Sequence, residues 1–209
     1  VPRNLFSPKK SEAASACVFA AALFVAHAAA AQTDTLTPLL QRGPLVLVEE
    51  DANGKFGQAT GIVLVDAPPD KVWDTVLAME KFSEYVPKVT TSELGRKDGN
   101  DFDVHFVLDV PGPDTDYTIR FTKDDAKREL KGAWSKGDLK GSRWLWKVEP
   151  AAGGKTLLSQ QVFLKNFSSL LQSVEDDQQT ITVGVTVSTA LAAIKAVKRR
   201  CEGRATVTK

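Results

Sequence analysis

A chain of 209 residues with 43% hydrophobic and 25% charged residues has the composition of an ordinary globular protein, which excludes a disordered tail, a collagen-like chain and a polytopic membrane protein. Its 27 Lys and Arg stand against 26 Asp and Glu, a formal charge of +1. That balance lacks the basic excess needed to displace counterions from phosphates, so no nucleic-acid partner is expected.

Residues 1–31 read as a cleavable signal peptide. Arg3, Lys9 and Lys10 form a positive start, and the run from Ala13 to Ala31 carries Val18, Phe19, Leu23, Phe24 and Val25. The run closes on Ala28-Ala29-Ala30-Ala31 before Gln32, which fits cleavage near Ala31. A retained membrane anchor is the competing reading, but the run is rich in Ala and only weakly apolar. Cys17 lies at the start of that run rather than its end, against a lipid-modified cysteine. The expected location is therefore the periplasm or the outside of the cell. Cleavage leaves His105 and Cys201 as the last histidine and cysteine. No intramolecular disulfide, structural metal or haem is then expected. A chain of this length buries about 70% of its unfolded surface and needs no such staple.

Residues 32–44 mix turn formers with a few apolar residues and read as a lead-in. LVLVEE, residues 45–50, is a short strand. Asp51-Ala52-Asn53-Gly54 has hairpin-turn chemistry, and residues 57–65 form a second strand that breaks at Ala67-Pro68-Pro69. Asp70 is placed to cap a helix. Val72, Val76, Met79 and Phe82 share one helical face, in a piece that Pro87 ends and that breaks into two.

From Val89 to Leu164 the period is two. Phe102, Val104, Phe106, Leu108 and Val110 alternate with Asp103, His105, Val107 and Asp109, the pattern of a half-buried strand. After a turn at residues 111–114, Tyr117, Ile119 and Phe121 alternate with Thr118, Arg120 and Thr122. Further strands are expected at 128–134, 142–149 and 156–164, separated by turns at Gly137–Gly141 and Gly153-Gly154. Together they make an antiparallel meander.

The final stretch is rich in β-branched residues, yet Val183, Val187, Leu191, Ile194 and Val197 recur at helical spacing. One helix is predicted over 178–200, with Gly203 beyond it as a stop. Lys195, Lys198, Arg199 and Arg200 gather at its end, either complementing the helix dipole or touching an anionic lipid surface transiently. The whole is an α+β domain with a single core: two short helices after the first core strand, a sheet of about six to seven strands, and a long C-terminal helix covering it.

Catalytic chemistry is sparse. His105 and Asp103 share a strand face as a candidate base and its orienter, but on the polar side, where an exposed histidine is the simpler reading. Arg120 and Tyr117 are polar groups on opposite strand faces. Cys201 reads as an incidental thiol. The sequence holds no Gly-rich phosphate loop, G-x-S-x-G elbow or HExxH motif.

Several segments together resemble the START-like superfamily, also called SRPBCC or Bet v 1-like, of the helix-grip fold. Val63-Leu64-Val65-Asp66-Ala67-Pro68-Pro69-Asp70-Lys71-Val72-Trp73 looks like its first strand entering a helix through proline. Phe82-Ser83-Glu84-Tyr85-Val86-Pro87 is similar to a segment of the polyketide cyclase and coenzyme-Q-binding members. Trp146-Lys147-Val148-Glu149-Pro150 and Gly153-Gly154-Lys155-Thr156 resemble their penultimate hairpin. The resemblance spans about residues 55–201. With the N-terminal reading, the chain then divides into a signal peptide (1–31), a lead-in with an extra strand (32–54), the START-like domain (55–201) and a tail (202–209). The exported N-terminus and the extra strand depart from the cytoplasmic and mitochondrial members.

The resemblance implies a curved sheet gripping the long helix around a cavity for sterols, lipids, quinones or aromatic polyketides. Inward-facing stripes then place Phe106, Leu108, Tyr117, Ile119, Phe121, Trp134 and Trp146 on the sheet wall and Val187, Leu191 and Ile194 on the helix. Ordinary core packing is the alternative role for each. Three functions follow: a carrier of a hydrophobic small molecule, a polyketide cyclase or aromatase, and an envelope domain that binds another protein. The first is preferred, without a catalytic residue, metal or cofactor. Cavity volume separates the third from the others, and convergent polar groups in the cavity separate the second from the first.

Overall fold

The structure, a computed structural model, describes residues 36–110, 113–165 and 178–204. The signal peptide expected over residues 1–31 lies outside the described residues. Two compact units are distinguished, Val1–Gln41 and Arg42–Lys209. Residues 36–42 are helical where a turn-rich lead-in was expected. Gly43 follows the last helical residue.

The larger unit is an eight-stranded antiparallel sheet with the long helix against it. Its strands are β1 (Leu45–Glu50), β2 (Phe56–Val65), β3 (Val89–Asp98), β4 (Asp101–Leu108), β5 (Thr115–Asp124), β6 (Glu129–Gly137), β7 (Arg143–Pro150) and β8 (Thr156–Phe163). Strands β3 to β8 run as a meander, and the β1–β2 hairpin joins through β2 to β8, giving the order β1-β2-β8-β7-β6-β5-β4-β3. The count is slightly above the six or seven expected. In the first hairpin Asp51 Oδ1 accepts the backbone N–H groups of Asn53 (2.8 Å) and Lys55 (3.0 Å), and Gly54 supplies the positive φ of 71°.

Between β2 and β3 the chain forms α1 (Pro69–Leu77), a 3-10 turn (Met79–Lys81) and α2 (Phe82–Tyr85), which carry it from the strand next to one edge of the sheet to the opposite edge. Val72, Val76, Met79 and Phe82 are all buried, as the helical spacing requires. Asp70 is not the cap. Pro69 takes the first helical position with Pro68 before it and no side-chain cap, because the fixed φ of proline already suits the first turn. Asp70 instead pairs with Arg128 (2.6 Å), and Trp73 Nε1 donates to Asp125 Oδ1 (3.0 Å). Both contacts tie α1 to the β5–β6 turn.

The C-terminal helix, α3 (Gln178–Cys201), packs mainly on β2 and β8. Burying its apolar side chains outweighs the weak helix propensity of its Thr and Val residues. Gly61 sets the approach: a Cβ there would lie 2.9 Å from Ile194 Cδ1 and 3.4 Å from the Ala190 backbone. At the helix end, Lys198 Nζ donates to the Leu64 carbonyl (2.6 Å) and to Glu202 Oε1 (2.5 Å), and Glu202 Oε1 also accepts the Asp66 N–H (2.9 Å). Burial of the Glu202 carboxylate favours protonation, but the Lys198 ammonium and the Asp66 N–H outweigh it and hold its carboxyl below the usual range.

A carboxyl whose folded pKa is depressed stabilises the fold above its unfolded value. That stability is lost as pH falls through the folded value. Glu202→Gln is therefore expected to cost about 1–2 kcal/mol at pH 7. The difference from the unsubstituted protein should shrink as pH falls through the folded pKa of Glu202. Urea unfolding of both proteins at neutral pH and in acid checks this; a gap that persists in acid contradicts it.

Candidate functional site

Alternation along β4, β5, β7 and β8 turns one face of each strand toward α3. The space between is not filled, and a cavity of about 500 Å³ remains. Its sheet wall is formed by Phe106 and Leu108 from β4, Tyr117, Ile119 and Phe121 from β5, Trp144 and Trp146 from β7, and Gln160 from β8. Met79, Phe82, Val86 and Val89 also line it. Helix α3 contributes Ile181, Gly184, Val185, Ser188, Thr189, Ala192 and Ala193. Pro87, Lys88, Gly184 and Ser188 line the cavity yet are exposed, so the mouth lies between the α2–β3 loop and the first half of α3.

Aromatic rings build most of one wall. Phe82 meets Trp146 edge-on at 6.1 Å and Phe106 at 6.4 Å. Tyr117 lies 5.7 Å from Phe106 and stacks on Trp144 at 6.0 Å with planes 5° apart. Behind them Phe121 stacks on Phe102 at 5.5 Å. Gly132 makes room for that stack, since a Cβ there would meet Phe121 Cε1 at 2.7 Å.

Among the described residues, no carboxylate and no imidazole line the cavity. Among the described residues Lys88 is its one cation, and it sits at the mouth, with Nζ 2.9 Å from Asp109 Oδ2. Burial pushes the Tyr117 phenol well above its ordinary value, so it stays protonated and neutral. Deep in the cavity Gln160 is 4% exposed, and its Oε1 has no hydrogen-bond partner.

Six of the expected wall residues, Phe106, Leu108, Tyr117, Ile119, Phe121 and Trp146, come together around this space. Trp134 does not. The β5–β6 register shifts between Thr118 and Ile119, and at that irregular end Trp134 is half-buried, its Nε1 donating to the Gly137 carbonyl (3.0 Å). Val187, Leu191 and Ile194 are also displaced. The α3 stripe facing the cavity is rotated by roughly 140° from theirs at 100° per residue, and Ile194 is buried over Gly61 instead.

The sequence reading passed over Trp144, Gln160 and the small residues of α3. Trp144 lies two residues from Trp146 on the same face, and Gln160 occupies an inward position between Leu158 and Val162. Both were readable from strand alternation. Ile181, Gly184 and Val185, Ser188 and Thr189, Ala192 and Ala193 recur at helical spacing, but a search for large apolar side chains passes over a row so rich in small ones.

Outside the cavity the polar candidates form surface pairs. Asp103 does not orient His105: it faces Arg120 across the β4–β5 register and accepts from its Nε (2.6 Å) and its terminal nitrogen (2.9 Å). Arg120 holds the Asp103 carboxyl below its usual range. His105 Nε2 lies 2.9 Å from Asp116 Oδ1 on a part-exposed face. Cys201 is buried with Sγ 3.3 Å from Thr75 Oγ1, and burial pushes its thiol up, away from the reactive thiolate. In the basic run, Lys198 anchors α3, while Arg200 pairs with Glu84 (3.2 Å) and lies over the Tyr85 ring (5.4 Å). No cluster of three or more His, Cys, Asp or Glu suited to a metal occurs among the described residues.

Comparisons place this geometry among known folds. The family described as polyketide cyclase / dehydrase and lipid transport matches over residues 58–203. The STAR-related lipid transfer protein of Xanthomonas axonopodis is 18% identical over 77% of this chain and 94% of its own, with a TM-score of 0.57. The Zhui aromatase/cyclase of Streptomyces sp. R1128 is 15% identical over 76% of this chain and 94% of its own, also at 0.57. A START superfamily protein of Mycobacterium smegmatis is 12% identical over 70% of this chain and 98% of its own, at 0.55. These likenesses establish the helix-grip fold. No curated protein matches the sequence.

Proposed function

The chain belongs to the polyketide cyclase / dehydrase and lipid transport family, and from that premise we propose that it binds and carries a hydrophobic small molecule, a lipid, sterol or quinone, outside the cytoplasm. The observation that carries this reading is the cavity of about 500 Å³ beneath α3, aromatic-walled and, among the described residues, without a charged side chain inside the Lys88 mouth. Its volume falls within the roughly 300–1,000 Å³ of small-molecule sites. A packed interaction domain needs no such space.

A cyclase needs a group that gives and takes protons near neutral pH. The described interior offers the Tyr117 phenol, whose pKa burial raises further. Transport therefore accounts for the lining better than catalysis does. Export rests on the N-terminal residues: Arg3, Lys9 and Lys10, the alanine-rich run and the small-residue end.

Native mass spectrometry of the purified exported protein, followed by solvent extraction, tests both parts. The expected species begins at Gln32 and carries one extractable apolar molecule. A bare chain that also fails to take up an offered sterol, quinone or phospholipid overturns the carrier reading. An uncleaved chain in the membrane fraction overturns export alone.

A further inference from the structure

Strand β8 turns Thr156, Leu158, Gln160 and Val162 toward the core, so two of its four inward positions are polar. Thr156 is satisfied, its Oγ1 donating to the Ala67 carbonyl at 2.7 Å. Gln160 is not. It sits between Gly61 on β2 and Trp146 on β7, it is 4% exposed, and its Oε1 meets no donor. Leaving a buried acceptor unpaired is costly, and packing needs no amide there. The side chain borders the cavity well inside the exposed mouth residues Lys88, Gly184 and Ser188.

We propose that Gln160 recognises a hydroxyl on the ligand, so that the molecule carried is a neutral, ring-rich alcohol or phenol bound with its polar end inward. The inference rests on the carrier reading and narrows it. A hydroxyl suits an amide in either orientation, since its O–H donates to Oε1 and its oxygen accepts from Nε2. The aromatic wall formed by Phe82, Phe106, Tyr117 and Trp144 offers flat faces to rings. A carboxylate would be carried past Lys88 at the mouth into a space whose described lining holds no further cation, at a high desolvation cost. Free fatty acids are disfavoured for that reason.

The test compares 1-hydroxypyrene, pyrene and 1-pyrenecarboxylate by energy transfer from the protein's tryptophans, in the unsubstituted protein and in Gln160→Met. The unsubstituted protein should bind hydroxypyrene about tenfold more tightly than pyrene, a ratio typical of one buried hydrogen bond, and the carboxylate most weakly. In Gln160→Met the first two affinities should come within about twofold, through loss of hydroxypyrene binding alone. The melting temperature of the variant should hold or rise, because the unpaired acceptor is gone. A merely structural glutamine would instead lower the melting temperature and affect both neutral probes alike.

Equal affinity for hydroxypyrene and pyrene in the unsubstituted protein overturns the Gln160 assignment and leaves the carrier reading standing. Tightest binding of the carboxylate overturns the neutral-ligand class. Binding of none of the three overturns the assignment together with the reading beneath it.

Discussion

Replacing Ala192 with tryptophan is expected to lower the affinity for an apolar ligand at least about tenfold, while changing unfolding free energy by less than about 1 kcal/mol. Ala192 borders the cavity from the middle of α3, so the added indole enters space that is already there. In a filled core the same enlargement displaces neighbours and costs about 1–3 kcal/mol. Leu191 supplies the control one residue away. It is half-buried, packs against the core and does not line the cavity. Leu191→Trp should therefore show the reverse pattern, destabilised by about 1–3 kcal/mol with nearly unchanged affinity. Titration with a fluorescent lipid and urea unfolding of the two variants measure both quantities. Affinity lost in Leu191→Trp but kept in Ala192→Trp would place the ligand on the other side of the helix.

That contrast also marks where the sequence stops being informative. Strand alternation identifies an inward face because a two-residue period offers only two choices, which is why Phe106, Tyr117, Ile119, Phe121 and Trp146 all line the cavity. A helix offers a continuum of faces, and α3 has neighbours on more than one. Its apolar stripe reports the side that is filled: Ala190, Ile194 and Val197 are buried, with Ala190 and Ile194 beside Gly61. The opposite stripe, Gly184, Ser188 and Ala192, reports the side that is left open. A cavity exists where side chains are absent, so a count of large apolar residues leads away from it. By length and composition the same helix could even span a bilayer, and only the sheet beside it shows otherwise.

Trp134 fails for another reason. Alternation holds as long as the ladder does, and the β5–β6 ladder shifts register beside this residue. Nothing in a two-residue period announces that shift. Gln160 was legible in principle, as an amide flanked by inward apolar positions on β8. It becomes significant only with the knowledge that no group among the described residues answers it.

Gly137→Ala is expected to destabilise the fold more than replacement of any other glycine among the described residues, by about 2–5 kcal/mol. Two separate costs combine at this position. Its φ is +75°, in the left-handed region where a Cβ costs about 1–2 kcal/mol. That Cβ would also stand 2.3 Å from the Asp116 carbonyl oxygen and 2.9 Å from the Tyr117 Cα, both backbone atoms of the neighbouring strand, which no rotamer change can move. Relief requires β5 and β6 to part where the Asp138 N–H donates to Asp116 O (2.7 Å). Gly153 separates the two costs. It has a φ of +71° and nothing within 4 Å of its Cβ position, so Gly153→Ala should lose only the conformational part, about 1 kcal/mol. At roughly 2–4 °C per kcal/mol for a domain of this size, Gly137→Ala should melt about 4–20 °C lower, and Gly153→Ala only about 2–4 °C lower. Equal shifts in the two variants would mean that φ alone matters and that β5 and β6 can part there at little cost. A larger loss at Gly137 should extend to ligand binding, because Tyr117, whose backbone the new methyl would strike, stacks on Trp144 in the cavity wall.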